Sequence, residues 1–293
     1  MVSEVGDPER SVELLWGGKS HPGRGPKPAL NLDGVVAAAI EVADQEGLAA
    51  LSMRRVAEKL GFTTMSLYRY VPGKAELLDL MQDAAVAEVA LPDHRAGWRA
   101  GLADSARQDW ELYQRHPWMV QVASTRSVPG PHYMADFEAR LKLLVGTGLS
   151  GREIMAVTNL VSQYVEGAAR RVAEAQQAER SSGVSMEEWW TSRVSLWGHL
   201  TEERYPTLAR VWMGGGYEGM ADDFEFGLQR VLDGIEMLVR GRDETPFRDE
   251  TAGSCVTCGK PVEKPATGRP KEYCSRACQQ RAYRARQAAG SGK

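Results

Sequence analysis

The sequence predicts an all-α protein with a small metal-binding appendage, on three observations. Apolar residues recur at helical spacing through most of the stretch from Leu32 to Arg240. Few segments alternate as strands do. All four cysteines, Cys255, Cys258, Cys274 and Cys278, lie together beyond a polar linker near the C-terminal end. The expected parts are a three-helix helix-turn-helix head, a larger helical body and a small treble-clef-like zinc module. Their boundaries are expected as a flexible basic arm over 1–29, a head over 30–82, a body over 83–241, a linker over 242–254 and a cysteine module over 255–287.

Composition sets the frame for this division. The charged fraction of 26% and the apolar fraction of 43% are those of an ordinary globular chain. No run approaches the about 18 apolar residues that a membrane span needs. The opening residues lack a basic-then-apolar leader, so a cytoplasmic location without membrane contact is expected. There cysteines stay reduced and more often hold metal than form disulfides. The net charge of −3 is unevenly placed. From Cys255 onward nine cations face two anions, which is +7 and leaves −10 for the rest. A basic tail on an acidic body points to a polyanionic partner or to a solvated tail, and charge alone does not choose.

The elements follow in order. "GKSHPGRGPKP" reads as a flexible arm, in which Arg24 and Lys27 either enter a flanking minor groove or belong to a solvated linker. A helix runs from Leu32 to Glu46, and Gly47 stops it. A second begins after its N-cap Ser52, with Met53, Val56, Ala57 and Leu60 on one face. Gly61 permits a tight turn and small Ala57 a close crossing. Thr63 caps a third helix, "TMSLYRYV", which Pro72-Gly73 ends. That helix places Leu67 and Val71 inward and presents Thr64, Met65, Ser66, Tyr68, Arg69 and Tyr70. Hydroxyls, aromatics and a cation on one short helix suit a DNA major groove. A fourth helix runs from Lys74 to Leu91.

The stretch "LSMRRVAEKLGFTTMSLYRYVPGKAELLDLM" resembles the DNA-binding domain of the tetracycline repressor (TetR) family. The likeness covers about residues 32 to 82, and its most specific part joins the turn, the recognition helix and Lys74 in one pattern. The resemblance implies that Tyr68 and Lys74 contact phosphates and that Arg54 reaches a base. It implies that Thr64, Met65 and Ser66 approach base edges, and that Thr63 caps the helix beside a phosphate. Tyr70 departs from the family's common histidine, and Arg69 stands where the founding repressor has an aromatic. Those departures bear on the operator sequence rather than on DNA binding.

Beyond about residue 90 the likeness weakens, and the family implies an all-α body with a ligand cavity and a two-helix dimer interface. Helices are expected at 97–115, 132–145, 151–180, 186–202, 206–213 and 222–240. Capping boxes pair Ser150 with Glu153 and Ser185 with Glu188. Helices 151–180 and 222–240 look like the dimer pair. Phe226, Leu228, Val231, Leu232, Ile235 and Leu238 form a broad apolar face that serves either a second copy or the monomer's own core. Aromatic residues concentrate in the body. Trp110, Tyr113, Phe137, Tyr164 and Trp197, with His116, are the candidate lining of a pocket for a flat apolar molecule, or else ordinary core. Gly214, Gly216 and Gly219 spell a dinucleotide-type glycine pattern but lack a preceding strand, so they read as an interhelical loop. No acid-base constellation marks an enzyme.

The cysteines are spaced C-x2-C and C-x3-C, with fifteen residues between the pairs. Two close pairs with a modest loop suit tetrahedral zinc in a structural role; unliganded thiols are the alternative. The expected order is knuckle, hairpin, helix. On that last helix Arg276, Arg281, Arg284 and Arg286 form either an auxiliary DNA contact or a protein-contact knob. The overall expectation is a homodimeric, sequence-specific transcriptional regulator of double-stranded DNA, a repressor released from a palindromic operator by a small hydrophobic effector. The rivals are a constitutive zinc-stabilised DNA-binding protein without effector, and a carrier or enzyme with a relic helix-turn-helix.

Overall fold

The computed structural model describes residues 7–17, 30–122, 127–216, 223–241, 255, 257, 258, 260, 262 and 273–282. Twelve helices are named here: α1 (Pro8–Trp16), α2 (Leu32–Glu46), α3 (Met53–Leu60), α4 (Thr64–Tyr68), α5 (Lys74–Val86), α6 (Trp98–Arg115), α7 (Pro131–Leu144), α8 (Gly151–Ser182), α9 (Met186–Thr191), α10 (Val194–Trp197), α11 (Pro206–Met213) and α12 (Asp223–Arg240). A further helical segment covers 276–282, and no strand occurs among the described residues. The chain divides into two compact units, one of Met1–Leu143 with Val157–Met237, the other of Leu144–Ala156 with Leu238–Lys293. Arg24 and Lys27, the linker, most of the expected hairpin between the cysteine pairs, Gly219, Arg284 and Arg286 lie outside the described residues.

Local chemistry sets the head. Asn31 caps α2 by accepting from the Gly34 amide at 2.7 Å, and Ser52 caps α3 by accepting from the Arg55 amide at 3.1 Å. Gly61 ends α3 at φ +72, a left-handed conformation that favours glycine. Thr63 then caps α4 through the Ser66 amide at 3.3 Å. These helices close over Val35, Ala39, Val42, Leu51, Val56, Ala57, Leu67, Val71, Leu77 and Met81, all buried. Leu67 is fully buried, so Leu67→Ala removes about 2–5 kcal/mol and frees the recognition helix from its support.

Residues 8–16 correct the expectation of a wholly flexible arm. They form α1, capped by Asp7 with Pro8 at its start, and α1 lies on α5. The Ser11 hydroxyl donates to Asp79 at 2.6 Å, the Asp7 amide donates to Glu76 at 2.9 Å, and Leu14 and Leu15 pack on the head core. The glycine- and proline-rich residues that follow mask this short amphipathic turn when composition is averaged over the whole arm.

The body departs from expectation in a few places. The helix expected at 186–202 breaks into α9 and α10. Arg193 leaves helical geometry, stacks its guanidinium 3.2 Å from the Trp189 ring centroid and donates to the Trp189 carbonyl. Helix α5 ends at Val86, short of Leu91. On α12 the two readings of the apolar face divide. Leu228, Leu232 and Ile235 are buried in the monomer, while Phe226 is exposed. Gly227 lets α12 pass close to α8, since a Cβ there runs into the Tyr164 hydroxyl. Three ion pairs lock α12 onto α6: Arg99 to Asp233 at 2.6 Å, Arg99 to Glu236 at 2.9 Å, and Arg107 to Glu225 at 2.6 Å.

Candidate nucleic-acid interface, ligand cavity and cysteine cluster

The recognition helix α4 is held from beneath by Leu67 and open above. Met65 is 74% exposed, Tyr68 and Arg69 are exposed, and Thr64 and Ser66 are half-buried. Arg54 projects from α3 and pairs with Glu58 at 2.8 Å, one turn along the same helix. Its side chain is 82% exposed, so this is a loose contact that a phosphate or a guanine edge can replace.

Two residues expected at the DNA face also make contacts within the head. Tyr70 turns inward, and its hydroxyl donates to the Leu30 carbonyl at 2.9 Å, tying the end of the recognition helix to the entry of α2. The short α4 ends at Tyr68, and that carries Tyr70 round to the core side. The Lys74 ammonium donates to the carbonyls of Leu51 at 2.7 Å and Leu48 at 3.4 Å. It braces the α2–α3 loop.

The body holds a cavity of about 380 Å³. Of the expected lining, Tyr113 and Phe137 are there, beside Leu112, Met119 and Tyr133. Trp110 and Tyr164 instead line a separate, more open cleft with Phe224. Trp110 stacks on Phe224 at 4.3 Å, and Tyr164 donates to the Phe224 carbonyl at 2.7 Å. Trp197 lines neither. It packs edge-on to Trp212 at 5.2 Å in a half-exposed aromatic group.

His116 is also no cavity residue. It is buried, with Nδ1 2.9 Å from Asp44 Oδ1 and Nε2 3.3 Å from Glu88. Trp118 Nε1 donates to the same Asp44 oxygen at 2.8 Å. The C-terminal end of α6 is thus fastened to α2 of the head. Sequence spacing gave no sign of this, because Asp44 and His116 are 72 positions apart.

The cavity wall is more polar than its rings alone suggest. Asp79, Asp83, Asp109, Asp136, Glu166 and Arg140 all contribute to it. Arg140 is buried and bonded to Asp109 through both terminal nitrogens, at 2.5 and 2.7 Å, with Asp136 2.7 Å from its Nε. Burial opposes the Arg140 charge, but Asp109 and Asp136 outweigh it and hold the guanidinium firmly protonated. Burial raises the Asp136 carboxyl above the usual range despite Arg140, and its Oδ1 is buried without a protein hydrogen-bond partner. The Tyr113 phenol is likewise raised by burial. The triad was not legible in the sequence. Its only trace there is the i, i+4 spacing of Asp136 and Arg140 on α7.

In the tail, the four cysteine sulfurs converge within 4.8 Å of one another. The Cys255 amide donates to the Lys260 carbonyl at 2.8 Å, closing the loop that carries the first pair. Cys278 sits in the 276–282 helical segment, and Thr257 Oγ1 donates to its carbonyl at 3.2 Å. The Cys274 backbone amide holds the Cys255 thiol down to about 6, whereas the thiols of Cys258 and Cys278 crowd Cys274 and push it up to about 12. Arg276 and Arg281 are exposed, and Arg281 Nη2 lies 3.8 Å from Cys278 Sγ.

A three-helix head with an open recognition helix, on a helical body with an internal cavity, defines a DNA-binding regulator of the one-component class. Comparison with known proteins makes this specific. Residues 35–81 match "Bacterial regulatory proteins, tetR family", and residues 91–239 match "Tetracyclin repressor-like, C-terminal domain". The HTH-type transcriptional repressor DrrR1 of Streptomyces coeruleorubidus is 46% identical over 244 residues, 82% of this chain and 90% of that one. The class E tetracycline repressor protein of Escherichia coli is 24% identical over 227 residues, 75% of this chain and 97% of that one. The crystal structure of ActR from Streptomyces coelicolor in complex with actinorhodin aligns at a TM-score of 0.60 and 28% identity, covering 75% of this chain and 99% of that one. The chain belongs to the tetracycline repressor family of transcriptional regulators. Among the described residues no helix is long and apolar enough to cross a membrane.

Proposed function

We propose that this protein is a homodimeric repressor that a small molecule releases from a near-palindromic operator. One observation carries the reading. Helix α6 lines the cavity with Asp109, Leu112 and Tyr113, and the segment that follows it is fastened at His116 and Trp118 to Asp44 of α2. An effector that displaces α6 therefore pulls on the head directly. Two heads spaced for successive major grooves lose that spacing when α6 moves. The ActR–actinorhodin complex supplies a precedent for a small molecule bound by a similar protein. Here Tyr113, Tyr133 and Phe137 would take the rings, and the Arg140 triad would meet a polar edge.

In this reading Arg54, Thr64, Met65, Ser66 and Arg69 face the groove, Tyr68 and Thr63 face phosphates, and Lys74 adds one donor. Exposed Leu160 on α8 and Phe226 on α12 are the proposed beginnings of a two-helix dimer interface. Arg276 and Arg281 of the tail, with Arg284 and Arg286, would add phosphate contacts.

The test starts with selection of fragmented genomic DNA on the full-length protein. The enriched site is then titrated with flat aromatic and other apolar compounds. One palindrome enriched, and released by a compound that also raises Tm, is the expected result. His116→Ala should keep compound binding while weakening release. A compound that binds the cavity and leaves operator affinity unchanged would overturn the release mechanism.

A further inference from the structure

We propose that Cys255, Cys258, Cys274 and Cys278 bind one zinc ion as a tetrahedral four-thiolate site, and that this ion folds the C-terminal tail. The distances carry the proposal. Cys258 and Cys274 sulfurs are 3.5 Å apart, Cys274 and Cys278 are 3.6 Å apart, and Cys278 and Cys258 are 3.6 Å apart. With Zn–S bonds of about 2.3 Å, the edges of a regular tetrahedron are about 3.8 Å. A disulfide brings its sulfurs to about 2.05 Å, and all four of these cysteines are free. A cage in which every sulfur lies within 4.8 Å of every other has room for one ion and not for a polynuclear cluster.

The surroundings of the site argue the same way. Among the described tail residues the buried apolar content is Val262 and the two cysteines Cys255 and Cys278, with Tyr273 against them. That is far too little to hold a module of this size, so its folding energy has to come from the metal. The Thr257–Cys278 hydrogen bond joins the loop carrying the first pair to the helical segment carrying Cys278. Four thiolates around Zn²⁺ carry a formal −2, which Arg281 beside Cys278 partly offsets. On binding, four S–Zn bonds form and each thiol that was protonated gives its proton to solvent. The site is independent of how the head uses DNA.

The test uses the full-length chain, purified reduced with zinc present and then desalted. Elemental analysis and native mass spectrometry should read one zinc per chain. Replacing zinc with Co²⁺ should give the intense visible bands of tetrahedral thiolate cobalt together with thiolate-to-metal charge transfer. Chelation should open residues 255–282 to trypsin while the operator-binding head keeps its Tm. The double variant Cys258→Ser/Cys278→Ser should lose the metal and show the same tail cleavage. Substoichiometric zinc, bound iron instead, or a reduced-state mass lacking four hydrogens as for two disulfides would each overturn the proposal. So would a cobalt spectrum without thiolate charge transfer, a readout that does not depend on any variant folding.

Discussion

Tyr68 and Tyr70 are two positions apart and do different work. Tyr68 is 45% exposed on α4, whereas the Tyr70 hydroxyl is bonded to the Leu30 carbonyl. Tyr70→Phe should therefore cost about 1 kcal/mol in chemical denaturation. Tyr68→Phe should leave stability unchanged and weaken all DNA sites by a similar factor, as a phosphate contact does. Binding titrations on matched and scrambled operators, run beside denaturation of both variants, separate the two roles. A steeper case is Arg140. Its side chain is 8% exposed and pairs with Asp109 and Asp136, so Arg140→Met strands two carboxylates in the body. Stability should fall by about 3–5 kcal/mol. A loss within 1 kcal/mol would mean that solvent reaches the triad far better than its burial indicates.

Among the elements, α12 shows how ion pairing sets a pH limit. Its Glu225 carboxyl is held below the usual range chiefly by hydrogen bonds from Arg107 and Gln229, and its Asp233 by hydrogen bonds from Arg230 and Arg99. A carboxyl with a lowered folded-state pKa contributes stability above its unfolded pKa and loses it as pH falls through the folded one. Amide protection over residues 223–237, corrected for intrinsic exchange, should thus hold at neutral pH and decline below about pH 4. In Arg99→Gln/Arg107→Gln the protection should already be reduced at pH 7 and show little further acid dependence. Equal profiles for the two proteins would mean that packing of Leu228, Leu232 and Ile235 alone secures the helix.

For the molecule as a whole, the uneven charge is the feature with a measurable consequence. The tail from Cys255 carries +7, or about +5 with a zinc four-thiolate site, against −10 elsewhere. If the tail arginines touch phosphate, removing residues 250–293 should flatten the dependence of log K on log salt by about 0.9 per lost contact per protomer. A truncated protein with an unchanged slope and unchanged affinity would place the tail away from DNA and leave it as a protein-contact module. The measurement also separates the tail's role from its metal. A chelated full-length chain should lose the ordered contacts while keeping its tail arginines.

Much of this protein is legible in its sequence because the signals are local. The caps Asn31, Ser52 and Thr63 satisfy amides three residues away, and Gly61 supplies the turn from its own backbone freedom. The C-x2-C and C-x3-C pairs likewise bring their thiols together through short loops. Helix-turn-helix, helical body and cysteine cluster were therefore all readable in advance. Tertiary packing alone decided which way side chains face when their partners are distant in the chain. It turned Tyr70 to Leu30, set Lys74 under the Leu51 carbonyl and buried His116 against Asp44, and it placed Trp110 and Tyr164 in a cleft beside the Tyr113 cavity. It also formed α1, whose few apolar residues are worth ordering only with α5 to cover them. The physical reason is one of range. Capping, turn and chelate geometry act over a few bonds of chain, whereas a cavity or a head-to-body latch exists only where segments far apart in sequence meet.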